Sequence, residues 1–426
     1  MKRLLIALAW LPAVLMAQTL DECQQAAEQN YPLISRYDLI RQTTDLTVSN
    51  IQKGWLPQVQ ARAQATLQSD VTAWPDEMQQ MMKGMGVDIE GLKKNQYRVG
   101  IDVEQTIFDG GAISSRKEVA RRQGDVEAAR NEVSLYQVRR RVNEMYFALL
   151  LLDQQIALNA DLQKLLSANE QKLAAMVRRG TAAESDHSAV RAERLGAEQQ
   201  ATALESQRRA LTRMLSAFCG IEVSAPQKPV EYVAVLQQQT GQTGLRPELK
   251  AIDSQLRLAD AQERALRSAL MPRLGIFAQG YYGYPGLNMF EDMMHHQWSL
   301  NGLIGARLTW NLGALYTHKA DKAKIQLQRE QAETERDLFL YNNKVEQIRQ
   351  DENISRYRRQ MGADGEIIEL RQKVRLAAES KLAHGIIDVN DLVREINQEN
   401  AARVQQSMHE IEMLKEMYDL KFTTNN

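Results

Sequence analysis

The sequence predicts a mixed membrane protein, with long α-helical coiled-coil hairpins joined to four transmembrane β-strands per chain on an internal two-fold repeat. Three observations carry this expectation: the placement of the prolines, a set of markers that recurs in the second half, and four stretches in which apolar and polar residues alternate.

After Pro12, prolines stand at 32, 57, 75, 226, 229, 247, 272 and 285, so 76–225 and 286–426 contain none. Proline in a helix interior costs about 3 kcal/mol, and these two tracts are where long helices can form. A helix from Gly111 to about Arg179, interrupted only by Gly124, would run on the order of 100 Å. Val142, Met145, Leu149, Leu152 and Ile156 recur at spacings of three and four, a coiled-coil seam. A returning helix is expected from about Ala182 to Phe218. The second half repeats the pair, from about Tyr316 to Ala383 and from about Ile387 to Lys421, where Val389, Leu392, Val393 and Ile396 begin the seam.

The markers recur in order. Pro32 to Pro57 spans 25 positions, as does Pro247 to Pro272. Leu56-Pro57-Gln58-Val59 matches Met271-Pro272-Arg273-Leu274, and Ile107-Phe108-Asp109-Gly110-Gly111 matches Thr309-Trp310-Asn311-Leu312-Gly313. Arg179-Gly180-Thr181 matches His384-Gly385-Ile386. These imply a first repeat over 18–223, a Pro/Gln/Gly-rich linker over 224–244 and a second repeat over 245–426, with hairpin tips near 180 and 385. Gly110, Gly111 and Gly313 are expected to turn the chain from strand into helix, and Gly180 and Gly385 to turn it at the tips.

Strands are expected at about 57–69, 96–108, 272–284 and 297–311. Val59, Ala61, Ala63, Ala65 and Leu67 alternate with Gln58, Gln60, Arg62, Gln64, Thr66 and Gln68, and Tyr97, Val99, Ile101, Val103 and Ile107 alternate with polar neighbours. Leu274, Ile276, Ala278, Tyr282 and Tyr284 share a face, as do Trp298, Leu300, Ile304, Ala306, Leu308 and Trp310. A half-buried soluble sheet gives the same pattern. The strand lengths suffice to cross a hydrocarbon layer when tilted, and Trp298 and Trp310 bracket one strand as interfacial aromatics do. Four strands cannot enclose a useful lumen, and lipid does not tolerate open edges, so several chains must contribute to one barrel. The insertions between paired strands carry Met78, Met81, Met82 and Met85, then Met289, Met293, Met294, His295 and His296. Such groups suit a soft metal such as Cu(I), and equally a surface loop that merely tolerates methionine; no metal ligands are assigned.

Lys2 and Arg3 precede an apolar run from Leu4 to Leu15 and a small residue, Ala17, as in a secretory signal peptide over 1–17. Export would place the two cysteines, Cys23 and Cys219, in an oxidising compartment. A Cys23–Cys219 bridge and two unpaired buried thiols both fit. The net charge of −1 gives no basis for nucleic-acid binding. Histidines 187, 295, 296, 318, 384 and 409 form no zinc spacing, and no phosphate-binding loop, dinucleotide fingerprint or nucleophile elbow occurs. No catalytic residue and no cofactor are expected.

The paired proline markers, Phe108-Asp109-Gly110-Gly111, and Arg179-Gly180-Thr181 with its second-half partner resemble the TolC family of outer-membrane efflux proteins over essentially the whole mature chain. The resemblance implies a homotrimer in the cell outer membrane, held by outer-membrane lipid, with a twelve-stranded barrel and an α-helical tunnel extending into the periplasm. It implies a channel for tripartite efflux or type I secretion, working with a periplasmic adaptor (membrane fusion) protein and an inner-membrane pump of the RND, ABC or MFS type. In the family, acidic residues lie near a constriction at the helical tips. Asp186 and Asp391, each six residues after a tip glycine, match that position, and Asp388 adds a carboxylate that could instead be a helix cap. The tip turns at Gly180 and Gly385 would meet the adaptor. The chain departs from the family at Leu382, Ile387 and Arg394, where a tyrosine, an arginine and an acidic residue tie the closed state together. A coiled-coil scaffold or adhesin, exported but without a pore, is the alternative from another class.

Overall fold

Proline and capping groups set most element boundaries. The computed structural model describes residues 19–89, 91–224, 226–229 and 246–425. The expected leader, 1–17, and most of the expected linker, 224–244, lie outside the described residues. Thr19 opens α1 (Leu20–Asn30) with a capping box: Glu22 N donates to its hydroxyl at 3.3 Å and Thr19 N donates to the Glu22 carboxylate at 2.9 Å. Pro32 separates α1 from α2 (Leu33–Gln52). Pro57 then precedes β1 (Gln58–Leu67), Pro75 precedes α3 (Asp76–Gly84), and β2 spans Asn95–Phe108. The long α4 (Ala112–Arg178) and α5 (Glu184–Cys219) follow.

The same order returns. Pro247, at a first helical position where its missing N–H costs nothing, opens α6 (Pro247–Ser268). Pro272 precedes β3 (Arg273–Tyr284), followed by α7 (Met289–His295) and β4 (Ser299–Thr309). Then come α8 (Ala314–Ala383) and α9 (Val389–Thr424).

The turn before α4 shows how local chemistry starts a helix 67 residues long. Asp109 is buried, and its carboxylate accepts from Gly111 N at 2.9 Å and Ile113 N at 2.5 Å, satisfying donors that the first turn leaves open. Gly110 and Gly111 have φ of +66° and +84°. A Cβ on Gly110 would also lie 2.2 Å from that of Met271. In the matching turn before α8, Gly313 has no left-handed φ, and hydrogen bonds from Leu312 N to Trp310 O and Ala314 N to Asn311 O close it instead. The expectation that Gly313 makes a sharp glycine-dependent turn is therefore corrected: asparagine and ordinary backbone do the work.

The residues gather into two compact units, Met1–Asp38 with Ala129–Ala251 and Glu335–Asn426, and Leu39–Ala128 with Ile252–Thr334. Helices this long take their stability from packing rather than propensity. In the first unit that packing forms two cores. One collects Leu20, Cys23 and Ala27 of α1, Val142, Tyr146, Phe147 and Leu149 of α4, Leu215 and Cys219 of α5, and Ile411, Leu414 and Met417 of α9. The other joins Leu166 and Leu173 of α4 to Val190 of α5 and to Val389, Leu392 and Ile396 of α9. Arg246 is buried in this unit, donating to Phe422 O at 2.7 Å and lying about 5 Å from the rings of Tyr136 and Phe422. A cation there satisfies carbonyls at the end of α9 and complements the negative end of its dipole. The second unit contains the sheet, antiparallel throughout in the order β1-β2-β3-β4.

Asp419 on α9 is a weak point of the first unit. Burial raises its pKa to about 6, against the opposing pull of Lys415, an Asn143 hydrogen bond and Arg140. Its Oδ1 is buried without a hydrogen-bond partner among the described residues. An acid whose pKa is higher folded than unfolded holds its proton more tightly when folded, so its contribution is fully present below the unfolded value of 3.8 and is lost as pH rises through about 6. Asp419→Asn is therefore expected to gain roughly 2–3 kcal/mol at about pH 8 and to flatten the pH dependence between about pH 4 and 6. Thermal unfolding of both proteins across that range checks it; equal midpoints in mild alkali would show that Asp419 is not strained.

Candidate functional site

Register converts the alternation in each strand into two complete faces. On one, Val59, Val103, Ala278 and Ile304 lie side by side across all four strands, as do Ala63, Val99, Tyr282 and Leu300 in the next row. This face is open: Leu300 is 82% exposed and Ile304 83%. Exposed apolar surface of this extent needs a partner or a lipid environment. Tyr97 stacks on Trp298 with ring centroids 6.2 Å apart, and Tyr282 lies 5.4 Å from the same indole. At the other end of β4, the indole N–H of Trp310 donates to Leu270 O at 2.9 Å. Both tryptophans thus hold aromatic positions at the two ends of one strand, the placement of a membrane-interface pair.

The opposite face is charged. Arg62 pairs with Asp102 at 2.9 Å and Arg307 with Glu104 at 3.0 Å; the guanidinium of Arg98 lies 5.1 Å from the Tyr281 ring centre, and that of Arg307 lies 4.6 Å from the centre of Phe277. One correction to the expected alternation appears near the end of β2. A register shift between Thr106 and Phe108 makes Ile107 the extra residue and sets Phe108 opposite Leu274. Strict period-two counting cannot see a bulge, because an inserted residue leaves the composition of the strand unchanged.

The insertions fold on each other within the second unit. Met82 and Met293 pack with Trp74, Ile89, Leu92 and Tyr284, so two of the methionines serve as filler in a small core. His296 Nε2 lies 2.7 Å from Gly91 O. Among the described residues, no group of three or more His, Cys, Asp or Glu could hold a metal ion.

The tips lie in the first unit. Gly180 and Gly385 have φ of +76° and +72°, and each follows a helix whose last carbonyls are satisfied by a returning N–H: Thr181 N to Met176 O and Ile386 N to Lys381 O, both at 2.9 Å. Each candidate gate carboxylate also has a local task. Asp186 accepts from Ala183 N at 3.2 Å at the start of α5. Asp388 is the N-cap of α9, accepting from Asp391 N at 2.8 Å. Asp391 pairs with Arg394 at 2.7 Å, and Arg394 also lies 3.7 Å from Glu395. Leu382 and Ile387, two of the departures from the family pattern, pack on the core formed by Val389, Leu392 and Ile396. The third, Arg394, supplies the cation beside Asp391.

Two features of this region escaped the sequence reading. Asp391 and Arg394 lie three apart on a helix, a spacing that marks an ion pair, so this one was legible. The buried Arg375–Glu399 pair, at 2.5 Å, joins α8 to α9 across 24 positions and carries no local signal. Burial alone would raise the Glu399 pKa, but hydrogen bonds from Arg375 and Arg403 outweigh it and hold the carboxyl below its usual range. Cys23 and Cys219 are both buried and are not bonded to each other; the Cys219 thiol donates to Cys23 O at 3.4 Å.

Similarity to solved structures extends over nearly the whole chain. The outer-membrane channel OprN superposes with a TM-score of 0.70 at 13% identity, over 95% of this chain and 89% of that one. The chain has the fold of an outer-membrane channel. The Vibrio cholerae outer membrane protein VceC matches with a TM-score of 0.67 at 12% identity, covering 96% of both chains. The Neisseria gonorrhoeae MtrE outer membrane channel matches at 0.63 and 14%, over 96% of this chain and 89% of its own. This is the fold that the resemblance to the TolC family implied. No family model and no curated relative matches the sequence. Among the described residues no helix is long and apolar enough to cross a membrane.

If the apolar face meets lipid, the two faces should respond oppositely to charge. Ile304→Arg, at the centre of β4, is expected to cost roughly 2–4 kcal/mol, the range for arginine at a bilayer midplane. Leu303→Arg, one residue away on the charged face, should be tolerated. Folded yield after refolding into liposomes distinguishes them, and equal losses from both would refute the two-faced assignment.

Proposed function

We propose that the chain is the outer-membrane channel component of a tripartite efflux or type I secretion system, acting as a homotrimer. It passively conducts substrates delivered by an inner-membrane pump of the RND, ABC or MFS type through a periplasmic adaptor. The observation that carries this reading is the sheet: one face apolar and exposed over all four strands, the other charged, and the outer edges of β1 and β4 unpaired among the described residues. Backbone groups in lipid must be bonded within protein, and strands achieve this only by closing into a barrel. Three copies of four strands would close a twelve-stranded barrel with an aqueous interior.

On this reading Gln60, Arg62, Asp102 and Glu104 face water inside the barrel, and Trp298 and Trp310 sit at the lipid interfaces. Asp186, Asp388 and Asp391 would ring the axis at the periplasmic gate, and the turns at Gly180 and Gly385 would meet the adaptor. The chain contributes a path and its selectivity, and the pump supplies the energy. Rings of carboxylates favour cations. Here Arg394 offsets Asp391, so the gate would carry mixed charge and prefer cations less than an unpaired acidic ring.

Light scattering of detergent-solubilised protein that resists alkaline extraction should give a three-chain mass; a monomer released into the alkaline supernatant would sink the reading. In planar bilayers the trimer should conduct. Asp391→Ala leaves Arg394 without its carboxylate, so the reversal potential in a salt gradient is expected to move toward anions. An unchanged potential in both Asp391→Ala and Asp186→Ala would remove these carboxylates from the conduction path.

A further inference from the structure

The two cysteines of the sequence are 196 positions apart, yet both are buried in the same core of the first unit, at 0% and 2% exposure. Cys23 belongs to α1, an 11-residue helix whose buried side chains are Leu20, Cys23 and Ala27. A helix this short has little stability of its own and depends on what it packs against. Cys219 is the last residue of α5. Besides the contact from the Cys219 thiol to Cys23 O, the two thiols hydrogen-bond each other.

The same two segments are held together at a second place. The Asn30 amide donates to Ala217 O and Phe218 O, both at 3.3 Å, and the Tyr31 ring stacks on Phe218 at 5.5 Å. The approach of the thiols is therefore fixed by contacts other than their own. Thiols in contact need only side-chain rotation for the sulfurs to reach a bond length of about 2.05 Å. No conduction or gating role uses either residue.

We propose that Cys23 and Cys219 form a disulfide in the exported protein, fastening α1 to the end of α5. The oxidant is a disulfide of the export compartment, reacting by thiol–disulfide exchange. One cysteine thiolate attacks a sulfur of that disulfide, expelling the first donor thiolate and forming a mixed disulfide. The second cysteine thiolate attacks the cysteine sulfur of the mixed disulfide and expels the other donor thiolate. Two thiols thus lose two protons and two electrons, and the donor disulfide becomes a dithiol. The exchange takes place while the chain is folding. Once the core closes, the hydrogen bond with Cys219 and burial push the Cys23 thiol up, and no oxidant reaches it. A cross-link closing so long a loop restricts the unfolded chain strongly.

The test uses the full-length protein from membranes of cells lysed in an alkylating agent, denatured without reductant and weighed intact. The expected mass is unlabelled and lighter by two hydrogen atoms than the reduced chain, with two labels gained after reduction. Two labels without reductant overturn the proposal. Cys219→Ser should leave Cys23 open to one label without reductant. If Cys23 stays blocked in that variant, something other than Cys219 occupies it and the proposal fails. Should the variant not accumulate, the wild-type masses decide alone. The proposal shares only export with the channel reading. Trimer mass and conductance are read on the same preparation, so two labels in a conducting trimer overturn the disulfide and leave the channel standing.

Discussion

A four-stranded antiparallel sheet leaves one edge of β1 and one of β4 with rows of peptide groups that no described residue bonds. In water such edges are a liability that short strands or charges can blunt. Here the strands run from 10 to 14 residues and their neighbouring face is apolar, so solvent is no solution. The fold is built around this incompleteness. Every strand presents its small and aliphatic residues to one side, and no polar network on that side could satisfy a second soluble layer. A single chain with this sheet is an unfinished object, and the constraint that completes it comes from other copies.

The helical unit meets a different difficulty. Helices of 67 and 70 residues have a mixed surface all round, and each turn must find partners locally. The structure concentrates burial in two cores and binds the lengths between with charge. Exposed pairs such as Lys164–Asp161 contribute at most about 1 kcal/mol each. The buried Arg375–Glu399 pair is of another kind. Removing one partner of such a pair costs roughly 3–5 kcal/mol, because the other charge is stranded, although the pair itself adds little net stability. Its effect is to fix the register of α8 against α9, since sliding by one turn would bury both charges unpaired.

The sheet and the long helices could be read from the sequence because each rests on local rules. Alternation at Val59–Leu67 specifies a face without knowledge of any partner, and proline-free tracts set an upper bound on helix interruption. What escaped was non-local or involved a change of count. The bulge at Ile107 depends on how β2 meets β3. Gly313 matched Gly111 in position but not in conformation, because Asp109 caps α4 through its side chain whereas the Asn311 turn closes through backbone bonds. Leu382 and Ile387 looked like losses from a gate when judged by family pattern. Their positions in the core show that apolar packing occupies the place of polar ties. The proximity of Cys23 and Cys219 had no sequence signal beyond their number.

The tip aspartates show that capping and gating make compatible demands. Helix N-termini favour negative charge by about 0.3–1 kcal/mol per group, so an aspartate in the first turn of α5 or α9 is stabilised where it stands. Asp388 spends one oxygen on Asp391 N and keeps the other for water or a cation. Asp391 is differently placed: its Oδ1 is taken by Arg394, whose own side chain is 60% exposed. A pair with one exposed partner is weak and readily exchanged. A guanidinium in that position can leave Asp391 for a carboxylate on another surface at little cost, whereas the leucine and isoleucine beside it are fixed by burial. In this chain, mobility at the tip therefore resides in Arg394, and the turns around it are held rigid by their cores.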